Sequence, residues 1–313
     1  RWLSPLPTYH MGGLAPVVRC ALYGSTVVLQ REFHASRTAG ALEAHDVTGV
    51  SLVPTALKRL LDADWTPPES LRFVLLGGAA ADADLLARCD ARDVPAYPTY
   101  GMTETASQIA TATPEQAFGD PDTVGQPLVN TTVHVVDAAG DAVPPGEVGE
   151  LVVSGPTVTP GYLGATDGAD EAGASRERER FTARGFRTGD RGDRDDDGTV
   201  YVTGRVDDMI VTGGENVQPS RVADALRALD GVADAAVVGL PDPEWGERVV
   251  ALVVPADDDG VDGPATPVAV RDAVRDRLAA REVPKTVAFA SSIPRTASGT
   301  VDRDAVRDRL RAD

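Results

Sequence analysis

The segment YGMTET at residues 100–105 places two hydroxyls around a carboxylate, directly after an aromatic residue and a glycine. Thr103 and Thr105 can donate to phosphate oxygens, and Glu104 is the hard oxygen ligand that magnesium shares with a phosphate. The same six residues also read as a helix start, with threonine as cap and glutamate in the first turn. FRTGDRG (186–192) sets Asp190 between glycines. A carboxylate there can accept both hydroxyls of a ribose, or it can simply close a Gly-Asp turn. LLGGAAAD (75–82) puts two glycines after an apolar run, where bare backbone can approach a flat ligand. In GRVDDMIVTGGEN (204–216), Arg205 can reach a phosphate or ribose, or pair locally with Asp207, and Asp207 sits where the chain could swivel. His10 in LPTYHMGG reads either as a packed residue or as a pocket wall. PRTASGTVDR (294–303) reads as a short polar loop with Thr300 at its tip, leading into a helix.

The elements that must carry these residues follow from periodicity. Up to about residue 110, apolar runs alternate with helical patterns: SLVP into TALKRLL, RFVLLGG, DADLLARCDARD, then VPAYPTYG. Strands alternating with helices predict a parallel sheet with functional loops at strand ends. Between Val124 and Val202 the runs TTVHVVD, GEVGELVVSG and GTVYVTG, separated by Gly, Pro and Asp turns, predict a small antiparallel or barrel-like section. A boundary falls near 204–207. Beyond it DDMIVTGGENV predicts a hairpin, and PSRVADALRAL a helix with Pro219 in its first turn. AAVVGL, RVVALVVP and TVAFASS predict strands. Val270, Val274 and Leu278 form one apolar stripe of a helix over VAVRDAVRDRLAA. The charged stretches 167–180 and 256–267 read as surface loops. The fold class is therefore α/β: a large unit over 1–204, a hinge over 205–207, and a small α+β unit over 208–313.

Composition narrows the function. With 313 residues, two domains and a sizeable core are expected. Net charge is −18 and lysine occurs only at positions 58 and 285, so the surface repels nucleic acid and anionic membrane. Neither nucleic-acid partners nor membrane insertion is expected. The acidity is spread along Asp-rich turns, which suits a solvated surface at high salt. Two cysteines, Cys20 and Cys89, are too few for a disulfide framework and point to a reducing cytoplasm.

Taken together and in order, PLPTYHMGG, LLGGAAAD, YGMTET, GEL…GYL, FRTGD, GRVDD…GGEN and PRTASG resemble the acyl-adenylate-forming superfamily over essentially the whole chain. Within it, YGMTETASQIATATPEQA is similar to the o-succinylbenzoate–CoA ligases of menaquinone biosynthesis, and PDPEWGERV suits CoA ligases generally. The resemblance implies an AMP-forming acid–thiol ligase that uses ATP, Mg²⁺ and CoA on a small carboxylic acid, 2-succinylbenzoate first. A generic aryl or fatty acid CoA ligase, and a non-catalytic nucleotide- or CoA-binding relative, remain the alternatives. By motif matching it implies Thr103 at phosphate, Glu104 at Mg²⁺, and Gly78, Ala79, Ala80, Tyr100 and Gly101 around adenine. Asp190 would hold the ribose, Arg205 the nucleotide, and His10 the acyl pocket. Asp207 would be the hinge, and Gly213 and Gly214 would line the CoA channel. In such relatives the position of Thr300 is normally a lysine that bridges carboxylate and phosphates; Arg295 and Arg303 are the nearest alternative cations. A phosphate-binding loop is expected upstream of His10, and the nine residues there do not supply it, so the chain is expected to be truncated and to expose apolar surface. A homodimer is also expected.

Overall fold

The computed structural model describes residues 1–162, 179–206, 208–256, 266–296 and 299–312. The expected surface loops at 167–180 and 256–267 lie almost entirely outside these residues, as does the hinge residue Asp207. Packing divides the chain into two compact units, 1–202 and 203–313.

The first unit is built on a seven-stranded sheet. Its strands are β1 (Trp2–Ser4), β2 (Val27–Leu29), β3 (Gly49–Leu52), β4 (Phe73–Leu76), β5 (Ala96–Tyr100), β6 (Ala110–Thr111) and β7 (Gln126–Pro127), in spatial order 2-1-3-4-5-6-7. The pairs from β2 through β5 are parallel, as the strand–helix alternation predicts, and β6 and β7 close the sheet antiparallel. The connecting helices are α1 (Met11–Tyr23), α2 (Ala35–Ala44), α3 (Pro54–Asp62), α4 (Ala83–Asp90) and α5 (Pro114–Gly119). Helix α3 starts at Pro54, whose missing N–H costs nothing at a first turn. It buries Ala56, Leu57, Leu60 and Leu61, a 3–4 spacing that turns one face inward. Helix α4 is capped by Asp82, which accepts from the Leu85 amide at 2.7 Å. Helices α2 to α5 and the inward residues of β1 to β5 form one continuous core.

Strand β4 shows what that core leaves open. Val74 and Leu76 are buried while Phe73 and Leu75, on the opposite side, are only half-buried. With Trp2, Arg72, Tyr97 and Gln108 they line a hollow of about 430 Å³. Helix α1 likewise turns Leu14, Val18 and Leu22 to solvent at i, i+4 and i+8, with Leu22 75% exposed. No helix among the described residues is long and apolar enough to cross a membrane.

A second, five-stranded antiparallel-type sheet follows, from β8 (Thr132–Val136), β9 (Gly149–Ser154), β10 (Phe181–Thr182), β11 (Gly185–Arg194) and β12 (Val200–Arg205), in order 10-11-9-8 with β12 on β11. FRTGDRG was expected as a turn, but it lies inside β11. The register of β11 against β9 shifts between Arg187 and Arg191, and Gly189 takes φ +73°. The glycines therefore mark a bulge, which re-aims Asp190 rather than ending the strand.

The second unit carries β13 (Ile210–Thr212), β14 (Glu215–Val217), β15 (Val232–Asp242), β16 (Gly246–Pro255) and β17 (Thr286–Phe289), with α6 (Pro219–Arg227), α7 (Pro267–Val274) and α8 (Arg303–Ala312). Strand β15 is buried on both faces: Ala235 and Val237 face the core that includes α6 and α7, while Ala236 and Val238 pack with Val306 and Leu310 of α8. That double burial explains why AAVVGL shows no alternation. Helix α7 ends at Val274, short of the predicted stripe; Leu278 is still buried, but from the turns that follow.

Leu57→Ala should destabilise the first unit by about 2–5 kcal/mol, because Leu57 is fully buried. Leu22→Glu should change stability by less than ~0.5 kcal/mol. Thermal unfolding of the two variants checks the assignment of inner and outer faces.

Candidate nucleotide site

Strands β4 and β5 are parallel neighbours, with Leu76 opposite Pro98, so their carboxyl ends open side by side. Ligands of open α/β sheets sit at such ends. Gly78, Ala79 and Ala80 follow β4 and are exposed, with Gly78 at φ +83°. Tyr100 ends β5. The segment after it is a single 3-10 turn over Thr103–Thr105 with Glu104 in its first turn, so YGMTET opens a short helical turn, but Met102 and not a threonine occupies the cap position. The turn is short because the chain doubles back: the Ile109 amide donates to the Tyr100 carbonyl at 2.7 Å. Gly101 makes this return feasible, since a Cβ there would stand 1.8 Å from the Ser107 carbonyl oxygen.

Two carboxylates meet this strand end. Tyr100 donates its hydroxyl to Asp190 Oδ2 at 2.7 Å, joining residues ninety positions apart. Asp190 is 8% exposed. Its amide donates to Thr188 Oγ1 at 3.0 Å, and that hydroxyl donates to the Leu151 carbonyl at 2.8 Å. Arg187 forms an ion pair with Glu150 across β9 and β11, and Glu150 Oε1 also accepts from the Gly189 amide at 3.2 Å. The bulge that aims Asp190 is thus tied to β9 at several points.

Glu104 is the second carboxylate. Tyr162 donates its hydroxyl to Glu104 Oε1 at 2.7 Å, and the Thr159 amide donates to the Glu104 carbonyl at 2.7 Å. Burial, followed by the adjoining Glu104 carboxylate, pushes the Tyr162 phenol above its ordinary value. Thr103 is exposed beside Glu104, and Thr105 is buried with its hydroxyl on the Met102 carbonyl at 3.1 Å. Thr105 therefore stiffens the turn, leaving Thr103 as the hydroxyl open to a ligand. One carboxylate and one free hydroxyl suit a magnesium ion that takes its remaining oxygens from phosphate and water. Among the described residues no three His, Cys, Asp or Glu side chains gather into an all-protein metal site.

The remaining candidates sit on other elements. His10 precedes the first turn of α1 without a side-chain capping bond and is exposed against Tyr9, ring centroids 4.5 Å apart. Arg205 ends β12, and half-buried. In the second unit, Gly213 and Gly214 form the turn of the β13–β14 hairpin at φ +60° and +79°, the conformation a two-residue hairpin turn demands. A Cβ on Gly213 would stand 2.9 Å from the Trp245 ring. Thr300 is at the shoulder of its loop, not at the tip: Arg295 and Val301 bridge across the base, and the Thr296 and Thr300 hydroxyls lie 2.7 Å apart. Arg295 pairs with Asp234 at 2.7 Å and donates to the Gly299 carbonyl at 2.9 Å. Arg303 lies 2.8 Å from Asp208, an ion pair without hydrogen-bond geometry at Asp208 Oδ2. Lys285 places its ammonium over the Trp245 ring at 4.7 Å. Tyr162 and Arg180 are the contributors that sequence reasoning missed; GYL stood out only as part of an ordered pattern.

The profile of the AMP-binding enzyme family matches residues 1–163, and that of the AMP-binding enzyme C-terminal domain matches residues 221–300. A 2-succinylbenzoate–CoA ligase of Bacillus licheniformis is 38% identical over 303 residues, covering 97% of this chain and 60% of that protein. The o-succinylbenzoate–CoA synthetase of Bacillus subtilis, solved with its acyl-adenylate intermediate, superposes with a TM-score of 0.86 at 34% identity, over 99% of this chain and 60% of the other. The amide bond synthetase McbA of Marinactinospora thermotolerans superposes with a TM-score of 0.87 at 35% identity, over 99% and 62%. The chain thus spans about 60% of the length of the curated relatives it matches.

Gly101→Ala should destabilise the protein by about 1–3 kcal/mol, because the intruding methyl meets backbone that cannot swing aside. Denaturant unfolding with an unchanged m-value checks this.

Proposed function

The chain belongs to the AMP-binding enzymes, and on that premise we propose that it carries the nucleotide and CoA chemistry of an acid–CoA ligase acting on 2-succinylbenzoate. The substrate carboxylate attacks the α-phosphorus of ATP, pyrophosphate leaves, and the CoA thiol then displaces AMP from the acyl-adenylate. The observation that carries this reading is the 2.7 Å contact between Tyr100 and Asp190, which brings a flat aromatic ring and a buried carboxylate together at the carboxyl end of the sheet.

From that contact the reading extends to the other residues by their match to the family's motifs. Tyr100, Gly101 and the exposed backbone of Gly78, Ala79 and Ala80 flank the adenine, and Asp190 accepts from the ribose hydroxyls. Thr103 donates to phosphate, and Glu104 holds the magnesium ion. Magnesium, when bound, neutralises charge between the incoming carboxylate and the triphosphate. Arg205 supports the nucleotide, His10 borders the acyl pocket, and Gly213 with Gly214 admits the pantetheine arm. Asp207 serves as hinge between the half-reactions. A cytoplasm of high salt fits the acidic surface, and a homodimer fits the exposed α1 stripe.

Incubating the protein with preformed succinylbenzoyl-AMP and CoA should give the CoA thioester above the uncatalysed background, detected by mass spectrometry. Asp190→Ala should lower the yield ~10-fold or more, since a hydrogen bond to a charged group contributes about 1.5–3 kcal/mol. No thioester from the folded wild-type chain would overturn the ligase reading. Screening of the −18 charge should also raise the unfolding temperature as KCl is added.

A further inference from the structure

The Glu104 carboxylate is held at one oxygen, and the residues behind that contact run on to Asp190. Tyr162 Oη donates to Glu104 Oε1 at 2.7 Å. The Tyr162 ring meets Phe181 edge-on at 6.0 Å, and Phe181 packs at 5.1 Å on Phe186, which is 1% exposed. Arg180 lies beside the same Tyr162 hydroxyl, stacks over the Phe186 ring at 5.5 Å, and donates Nη2 to the Thr188 carbonyl at 3.2 Å. Thr188 in turn accepts from the Asp190 amide through Oγ1 at 3.0 Å. One polar line therefore runs Glu104, Tyr162, Arg180, Thr188, Asp190.

We propose that Tyr162 is a positioning residue for Glu104: its hydroxyl fixes one carboxylate oxygen and leaves the other to receive a magnesium–phosphate complex, with Arg180 as the brace that keeps the hydroxyl in place. The inference rests on the nucleotide reading above and adds a residue to it. A glutamate free to rotate must lose side-chain entropy when it captures a metal; one already oriented loses less. Partners that orient a metal-binding carboxylate commonly govern metal affinity 10–100-fold. The cation of Arg180 beside the hydroxyl also keeps the line compensated while two carboxylates flank it. The ring packing on Phe181 is independent of the hydroxyl, so Tyr162→Phe removes the bond and keeps the wall.

The test is calorimetric titration of ATP into wild type and Tyr162→Phe over a series of Mg²⁺ concentrations, with AMP titrated in the absence of metal as the parallel arm. The expected result is a Mg²⁺ midpoint for ATP binding raised ~10-fold or more in the variant, with AMP affinity and unfolding temperature unchanged. An unchanged Mg²⁺ midpoint overturns the proposal. An equal loss of AMP affinity without metal also overturns it, because that outcome marks a packing role. If the wild type binds neither AMP nor ATP, the nucleotide reading itself fails, and this inference falls with it.

Discussion

The hydrogen bond between Tyr100 and Asp190 is the constraint on which the first unit turns. Tyr100 ends a parallel strand whose position is set by β4 and its covering helices, and Asp190 sits on a bulge in a different sheet. A hydrogen bond of 2.7 Å with an 8% exposed carboxylate is met only if both sheets hold their register. The apolar cluster of Ile109, Val133, Leu151, Val153 and Val200, with Tyr100 and Met102 packed against it, supplies the rigidity. The polar contact sets where the site is; the packing keeps it there.

The second unit follows a different logic. Strands β15 and β16 are buried on both faces, and Arg295 and Arg303 pair with Asp234 and Asp208. Either arginine would have to give up its carboxylate before serving as the cation that Thr300 lacks. Thr300 itself is engaged with Thr296.

Much of this was legible from residue order. Strand–helix alternation up to residue 110 gave the parallel sheet because apolar period and turn chemistry agree there. The GGEN hairpin was legible because two consecutive glycines suit its turn. Helix α1 was not, since Gly12, Gly13 and Pro16 argue against a helix; it forms because Gly13 packs where a Cβ would lie 2.3 Å from the Pro7 carbonyl oxygen, and Ala15 and Cys20 are buried. The bulge at Asp190 was read as a turn because glycine flanking aspartate signals both, and only the pairing with β9 separates them. Tyr100, Glu104 and Asp190 stood out as residue types, whereas the contacts of Tyr162 with Glu104 and of Arg180 with Thr188 are ones that no spacing reveals.

The most direct measurement compares the affinity of the protein for AMP with that for 2′,3′-dideoxy-AMP under identical salt. If Asp190 receives the ribose hydroxyls while Tyr100 flanks the base, the dideoxy nucleotide binds at least ~10-fold more weakly, as loss of a hydrogen bond to a charged group implies. Equal affinity for the two nucleotides would contradict the account, because the buried carboxylate would then have no part in recognising the sugar.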